Sequence, residues 1–144
     1  ENFKDSKKFS AYQITAIPTH HSKKVNSQAY LIQKNKKKIL YTGDLIGINK
    51  QYHDKLKNLD LVITEGSFLR KGGLVRRDKK TGEIYGHNGI PNLINLFKKF
   101  TNNIIFMHFG SWFYKDIPGA RKRIKNLDKY LNLTASYDGY KTKI

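Results

Sequence analysis

Three short motifs carry side chains that can bind metal, and each comes at or just after the end of an apolar, β-rich run. They are Pro18-Thr19-His20-His21-Ser22, Tyr41-Thr42-Gly43-Asp44 and Phe106-Met107-His108-Phe109-Gly110. Imidazole nitrogens and carboxylate oxygens are ligands that zinc and related divalent ions accept. The spacing makes sense if groups from different strands converge on bound metal. The same residues are too few for two ions, which suggests that further ligands are missing.

The elements between these motifs alternate between strand and helix patterns, as expected of a single α/β unit. Strand patterns cover 9–17, 29–32, 38–42, 61–64 and 104–107, and helical spacing covers 91–100 and 118–131, with a weaker helix at 50–59. Residues 71–86 combine glycine with basic residues and predict a loop. Residues 133–144 read as a closing strand with a turn at Asp138-Gly139.

The chain is strongly basic, with 28 basic against 11 acidic residues and a net charge of +17. A polyanion-binding face explains this excess, and so does a compositional bias of a solvated surface, since most of the basic residues are lysine. The predicted basic loop, which includes Lys71, Arg76 and Arg77, directly precedes His87. We expect this loop to hold substrate phosphate, with a solvated charge run as the alternative.

The composition also excludes some classes of protein. The chain has no cysteine, which rules out disulfides, thiolate metal sites and a cysteine nucleophile. No apolar run approaches the roughly 20 residues that span a bilayer, and no signal-like segment opens the chain, so we expect a cytoplasmic protein without membrane contact. Because the sequence begins at Glu1, we expect a processed form or a fragment of a longer product.

The order of the motifs resembles the C-terminal half of the metallo-β-lactamase-fold hydrolases, in particular the ribonuclease Z and cyclic-phosphate phosphodiesterase branch. The His-Ser motif precedes an Ala29-Tyr30-Leu31-Ile32 strand, and the Thr-Gly-Asp motif follows the next strand. Gly86-His87-Asn88 comes before a helix, and the later strand ends in the His108 motif. Tyr137-Asp138-Gly139 is similar to the usual end of the fold.

This resemblance implies half of a four-layer αββα sandwich, with a mixed sheet flanked by helices over residues 1–144. It implies metal ligands at His21, Asp44 and His108, with Asp44 bridging two ions. His20 rivals His21, but the family pattern places the ligand directly before serine. His87 would act at the departing oxygen as proton donor or phosphate stabiliser. The expected ions are zinc, or alternatively manganese or iron.

The family's His-x-His-x-Asp-His cluster, which lies upstream of these motifs, is absent from the chain. We therefore expect a companion, which is the N-terminal half, a complementary chain or a second copy in a homo-oligomer. By itself this form is expected to be inactive. Glu65 follows a buried strand near the expected rim of the metal site, in a segment similar to the family's strand-Glu-Gly-Ser segments, and we expect it to have a structural role or to support the metal ligands.

Besides a structural half-domain that only completes another chain, three functions remain open from the sequence. The first is part of a metal-dependent phosphodiesterase or nuclease, in which metal-activated water attacks a nucleotide, RNA or DNA phosphodiester. The second is a non-catalytic, basic nucleic-acid-binding module. The third is a hydrolase of another ester class on the same fold, acting on thioesters, lactones or lactams.

Overall fold

The computed structural model describes residues 6–143, which form one mixed β-sheet, three α-helices and a separate hairpin. The strands are β1 (Ser6–Phe9), β2 (Tyr12–His20), β3 (Ser27–Lys34), β4 (Lys37–Tyr41), β5 (Gly47–Ile48), β6 (Leu61–Gly66), β7 (Leu74–Arg77), β8 (Ile84–His87), β9 (Asn103–Phe109) and β10 (Asn132–Ala135). The helices are α1 (Ile90–Phe97), α2 (Ser111–Tyr114) and α3 (Ile117–Lys125), with a 3₁₀ helix at Lys50–Leu56.

The main sheet has the order β1-β2-β3-β4-β6-β9-β10, with β5 paired to β2. The pairs from β1 to β4 are antiparallel, whereas β4, β6, β9 and β10 are parallel to one another. Strand β2 therefore runs in the same direction as β4. As a result, the carboxyl ends of β2, β4, β6, β9 and β10 all lie at one edge of the sheet, which we call the site edge. The mixed α/β fold expected from the sequence is confirmed.

One face of the sheet carries the core. Ile17, Leu40 and Phe106 are each 0 % exposed and pack with Leu93 and Phe97 of α1. The buried residues of α1, α3 and the 3₁₀ helix belong to this same cluster. Among residues 6–143, no helix is both long and apolar enough to cross a membrane.

The opposite face of the sheet carries a second apolar row, formed by Ala16, Tyr30, Tyr41, Ile63 and Ile105 in register across neighbouring strands. We call this row the outer face. None of these residues belongs to the core cluster, and Tyr30 and Tyr41 remain 36 % and 37 % exposed. Large apolar side chains in register on a sheet are typical of a surface that packs against another layer.

Several boundaries differ from the sequence predictions. The strand predicted at 9–17 is two strands, because Ser10 has a φ of 54° and reverses the chain between β1 and β2. The closing strand ends at Ala135, and its turn at Asp138-Gly139 lies outside the sheet. Ile144, the last residue of that predicted strand, lies outside the described residues.

The loop predicted at 71–86 is wrong at 74–77 and 84–86, because β7 and β8 pair as an antiparallel hairpin. Gly86 joins this hairpin to the main sheet, since its N–H donates to the carbonyl of His21 at 2.8 Å. At the hairpin tip, Lys23 pairs with Asp78 at 2.5 Å. The hydrogen bond from Lys23, followed by the backbone N–H groups of Thr81 and Lys80, holds the pKa of the Asp78 carboxyl well below its usual range.

The hairpin depends on the absence of a side chain at Gly86. This glycine has a φ of 113°, and a Cβ built there would lie 2.1 Å from the Leu74 carbonyl oxygen. Gly82, in the same hairpin, also has a positive φ of 74°, but its Cβ would meet open space.

We expect Gly86→Ala to destabilise the protein more than Gly82→Ala, the matched control. The control loses about 1 kcal/mol, which is the ordinary cost of a side chain at positive φ. Gly86→Ala should lose at least roughly twice as much, because a backbone clash adds to that cost. Chemical denaturation of both variants measures the difference, and equal losses would contradict the close approach at Gly86.

Candidate metal centre

Asp44 is placed by a turn at the end of β4. Thr42 continues the sheet by donating its N–H to the Ile63 carbonyl at 3.0 Å. Its buried hydroxyl lies 2.8 Å from the hydroxyl of Thr64. Gly43 then takes a φ of 60°, a left-handed conformation that glycine adopts without strain, and turns the chain. The Asp44 carboxylate consequently lies at the site edge, beside the ends of β2 and β9.

His21 is oriented by the hairpin. Its Nδ1 lies 2.8 Å from the carbonyl oxygen of Gly86, which can only accept a hydrogen bond. Nδ1 therefore carries the proton, and Nε2 keeps its lone pair. That Nε2 lies 3.7 Å from Oδ2 of Asp44. A metal-ligating histidine typically has this arrangement, in which one ring nitrogen donates to a carbonyl and the other binds the ion.

His108 contacts the other oxygen of Asp44, through its Nδ1 and Oδ1 of the carboxylate. The residue lies near the end of β9, and its backbone has a φ of 55°. The hydroxyl of Ser67 donates to its carbonyl at 3.3 Å. The Asp44 carboxylate thus lies between two imidazoles, with one oxygen toward each of them. This donor set fits a divalent ion, because neutral imidazole and carboxylate suit zinc, manganese and iron.

His87 lies at the end of β8 and is held by a buried carboxylate. Its Nδ1 is 2.7 Å from Oε2 of Glu65, a residue that is 1 % exposed. The second oxygen of Glu65 accepts the N–H of Leu45 at 2.6 Å. The His87 ring lies edge-on to that of His21, with centroids 4.8 Å apart, and its centroid is 6.4 Å from that of His108.

One group of potential ligands consists of His21, Asp44 and His87, whose donor atoms lie within 4.8 Å of one another. It includes the histidine that the resemblance assigns to proton transfer, and it leaves out His108. His87 donates its Nδ1 hydrogen to the buried carboxylate of Glu65, and this arrangement suits either a metal ligand or a proton donor. Together the structure brings His21, Asp44, His87 and His108 to one place.

The remaining residues that the sequence analysis proposed for the site make their contacts outside the candidate metal centre. His20 turns away and pairs with Oδ1 of Asn49 at 2.7 Å, which separates it from its neighbour His21. Lys71 lies exposed in the turn before β7. Arg76 pairs with Tyr85 in the hairpin register, whereas the Arg77 guanidinium donates to the Gly82 carbonyl at 2.7 Å.

Glu65 is a site residue for which the sequence predicted a structural or supporting role but not the partners. The available signal was a carboxylate in a strand of otherwise apolar and small residues, Leu61–Gly66. A buried carboxylate requires partners, because leaving a charged group unpaired in the interior is costly. The identity of those partners, Leu45 and His87, depends on contacts distant in sequence.

A family model described as a beta-lactamase superfamily domain matches residues 2–109, and the chain belongs to this family. Among solved structures it is similar to the metallo-beta-lactamase fold protein YhfI from Bacillus subtilis (18 % identity, TM-score 0.69, 97 % of this chain and 53 % of that one). It is also similar to the short form of human tRNase Z (16 % identity, TM-score 0.57, 94 % of this chain and 46 % of that one). A third similar structure is a diphosphatase of the PhnP family (15 % identity, TM-score 0.63, 98 % of this chain and 47 % of that one).

These similarities establish a metallo-β-lactamase fold. The chain spans about half the length of these structures, at 53 %, 46 % and 47 % of each. No curated protein matches the chain at a significant level.

The left-handed backbone at His108 predicts a measurable strain. Non-glycine residues adopt positive φ at a cost of about 1–2 kcal/mol. His108→Ala and His108→Gly both remove the contact with Asp44, but only glycine relieves the backbone. We expect His108→Gly to be more stable than His108→Ala by about 1 kcal/mol in thermal denaturation without metal. If alanine were equally stable, the left-handed conformation at this position would be refuted.

Proposed function

We propose that this protein is part of a metal-dependent phosphodiesterase that acts on a nucleotide or nucleic acid. The observation that carries the proposal is the convergence of His21, Asp44 and His108 with a His87–Glu65 pair at one edge of the sheet. The first group offers ligands to metal, and the pair offers an oriented proton donor. Metal-activated water and a positioned proton donor each accelerate the hydrolysis of a phosphodiester near neutral pH.

The ligands we propose for metal are His21, Asp44 and His108, and the ion we favour is zinc, with manganese or iron as alternatives. A bound ion supplies a water molecule with a lowered pKa as the nucleophile. The chain's own contribution is to hold these ligands in place. Gly86 fixes the tautomer of His21, and the turn at Gly43 presents both oxygens of Asp44.

His87 is proposed to donate a proton to the departing oxygen as the phosphorus–oxygen bond breaks. Because Nδ1 is bonded to Glu65, Nε2 is the nitrogen available to the substrate. The hydrogen bond to Glu65 holds the imidazole ring in one orientation. The buried carboxylate thus positions the proton donor without touching the substrate.

Removing the proposed proton donor should separate catalysis from metal binding. In the complete gene product, we expect His87→Ala to lower kcat for a dinucleotide phosphodiester, whose departing sugar oxygen must be protonated, by about 10²–10⁴-fold, the usual contribution of a positioned general acid. Metal content, measured by elemental analysis, should remain unchanged. His20→Ala is the matched control, since this neighbouring histidine bonds Asn49 outside the site.

A loss of metal in His87→Ala would contradict this assignment and would make His87 a ligand. Unchanged turnover in that variant would refute its role as proton donor.

The basic hairpin is proposed to bind the substrate phosphate through Arg76. In the hairpin register Leu74 lies opposite His87 and Arg76 opposite Tyr85. Because directly paired and alternate residues share a face, Arg76 lies on the same face of the hairpin as His87, and Arg77 lies on the other. Lys71 and Arg77, which were also predicted to bind phosphate, would add charge at a greater distance.

We expect Arg76→Ala to raise KM for an oligonucleotide substrate and to weaken the dependence of KM on salt. Arg77→Ala removes the same charge from the opposite face and should have a smaller effect on both quantities. Steady-state kinetics at several salt concentrations provide the comparison. Equal effects of the two variants would indicate a diffuse electrostatic attraction and would contradict a specific contact at Arg76.

We also propose that the chain is the C-terminal half of the αββα sandwich and that a companion layer covers the outer face. Two observations support this. The outer face carries apolar residues in register, including the exposed Tyr41, and the similar structures are about twice as long. The companion, which we take to be the N-terminal half in preference to a second copy or complementary chain, would add the remaining metal ligands.

The companion layer can be tested at Tyr41. We expect Tyr41→Lys to destabilise the complete gene product, where the side chain would be buried, by about 2–4 kcal/mol. The same substitution should change the 144-residue chain little, because Tyr41 is 37 % exposed there. Denaturant unfolding of both forms decides the question, and equal effects would contradict a companion on this face.

A second candidate function is a non-catalytic nucleic-acid-binding module, favoured by the net charge of +17. It requires salt-sensitive binding but no turnover. Binding that survives Asp44→Ala, in a protein that never hydrolyses phosphodiesters, would support it over the enzyme.

A further inference from the structure

We propose that the cavity next to His108 is a binding site for the nucleobase of the substrate. The cavity has a volume of about 290 Å³ and lies at the site edge, beyond the ends of β9 and β10. His108 belongs both to its wall and to the candidate metal centre. This inference rests on the proposed function, because the cavity is placed to select a substrate whose phosphate lies at that centre.

The wall of the cavity includes two aromatic rings that pack against each other. Phe113 is 3 % exposed and stacks on Phe109, with centroids 3.9 Å apart and planes inclined by 8°. Trp112 packs edge-on against Phe113, with its Nε1 donating to the Ser67 carbonyl at 3.0 Å. Because these aromatic residues pack against one another, they support the wall of the cavity. Contacts with a ligand are expected from the exposed side chains at its rim.

The rim of the cavity carries aromatic side chains that the core does not use. Tyr114 is 65 % exposed and Tyr137 is 58 % exposed, although both line the cavity. The guanidinium of Arg121 lies over the ring of Tyr137, with its carbon 5.3 Å from the centroid. Aromatic rings and guanidinium planes are the surfaces on which proteins stack unpaired bases.

The charges of the cavity favour a base over a second phosphate. Within residues 6–143 the guanidinium of Arg121 forms no ion pair, but the carboxylate of Asp138 lines the same cavity. One positive and one negative group do not make a site for an anion. They offer a hydrogen-bond donor and an acceptor, as the edge of a heterocyclic base requires.

The size of the cavity limits the ligand to a single base. Pockets for small molecules usually measure about 300–1,000 Å³, and this cavity, at about 290 Å³, lies just below that range. It has no room for a stacked run of bases. Because one wall is His108, a base bound here would leave its own sugar and phosphate directed toward Asp44.

The test is a comparison of ligands that differ only in the base. We expect the complete gene product to bind adenosine or guanosine 5′-monophosphate at least tenfold more tightly than ribose 5-phosphate in isothermal titration calorimetry. Tyr137→Ala should reduce the affinity for the nucleotides by about 10- to 100-fold, the usual loss of one stacking partner. It should leave ribose 5-phosphate binding unchanged, and Tyr137→Phe should keep the nucleotide affinity.

Tyr130→Ala is the matched control. Tyr130 is also an exposed tyrosine below a cation, with Lys129 Nζ 4.9 Å from its ring centroid, but it lies outside the cavity. We expect this variant to bind both ligands as the unmodified protein does. Equal affinity for nucleotide and sugar phosphate would overturn the proposal. An equal loss for both ligands in Tyr137→Ala, or the same loss in Tyr130→Ala, would overturn it as well.

Base-dependent binding is measured without turnover, which separates this inference from the proposed function. If base preference persists in a protein that hydrolyses no phosphodiester, the cavity is confirmed and the proposed enzyme fails. If phosphodiesters are hydrolysed without base preference, the enzyme stands and the cavity assignment fails.

Discussion

The buried carboxylate of Glu65 is the interaction on which the rest of the site depends. One oxygen accepts a hydrogen bond from the backbone N–H of Leu45, the residue that follows Asp44. The other accepts a hydrogen bond from Nδ1 of His87. A single side chain therefore joins β6, the turn after β4 and the end of the hairpin. Because an unpaired charge in the interior is costly, each partner is required as much by stability as by chemistry.

The parallel part of the sheet explains why one edge collects the functional groups. Since β4, β6, β9 and β10 run in one direction, their carboxyl ends meet, and β2 shares that direction through the antiparallel β3. Asp44, Glu65, His108 and Tyr137 lie at or beyond four of these ends, and His21 follows β2. Ligand sites in open α/β sheets form at carboxyl ends for the same reason.

The parts of the site that lie within one short sequence motif were predictable from the sequence. The Tyr41-Thr42-Gly43-Asp44 motif combines the end of a β-rich run with a glycine turn, and the structure shows the strand ending at Tyr41 and Gly43 at positive φ. The parts that depend on distant contacts were not predictable. The β7–β8 hairpin was mistaken for a loop because its glycines and charges are typical of a loop, and because its contact with His21 joins residues far apart in sequence. The Glu65–His87 pair and the cavity beside Tyr137 likewise arise from chain segments far apart in sequence.

The most direct test of the account is the metal content of the complete gene product, compared with that of its Asp44→Asn variant by elemental analysis. Asparagine preserves the shape of the side chain but is neutral, and it offers one oxygen in place of the two that face His21 and His108. We predict that the unmodified protein carries zinc, manganese or iron at one or more ions per chain, and that the variant loses most of it while remaining folded. If the unmodified protein binds no metal after reconstitution, or if the variant binds it equally well, then Asp44 is not a metal ligand and the account is wrong.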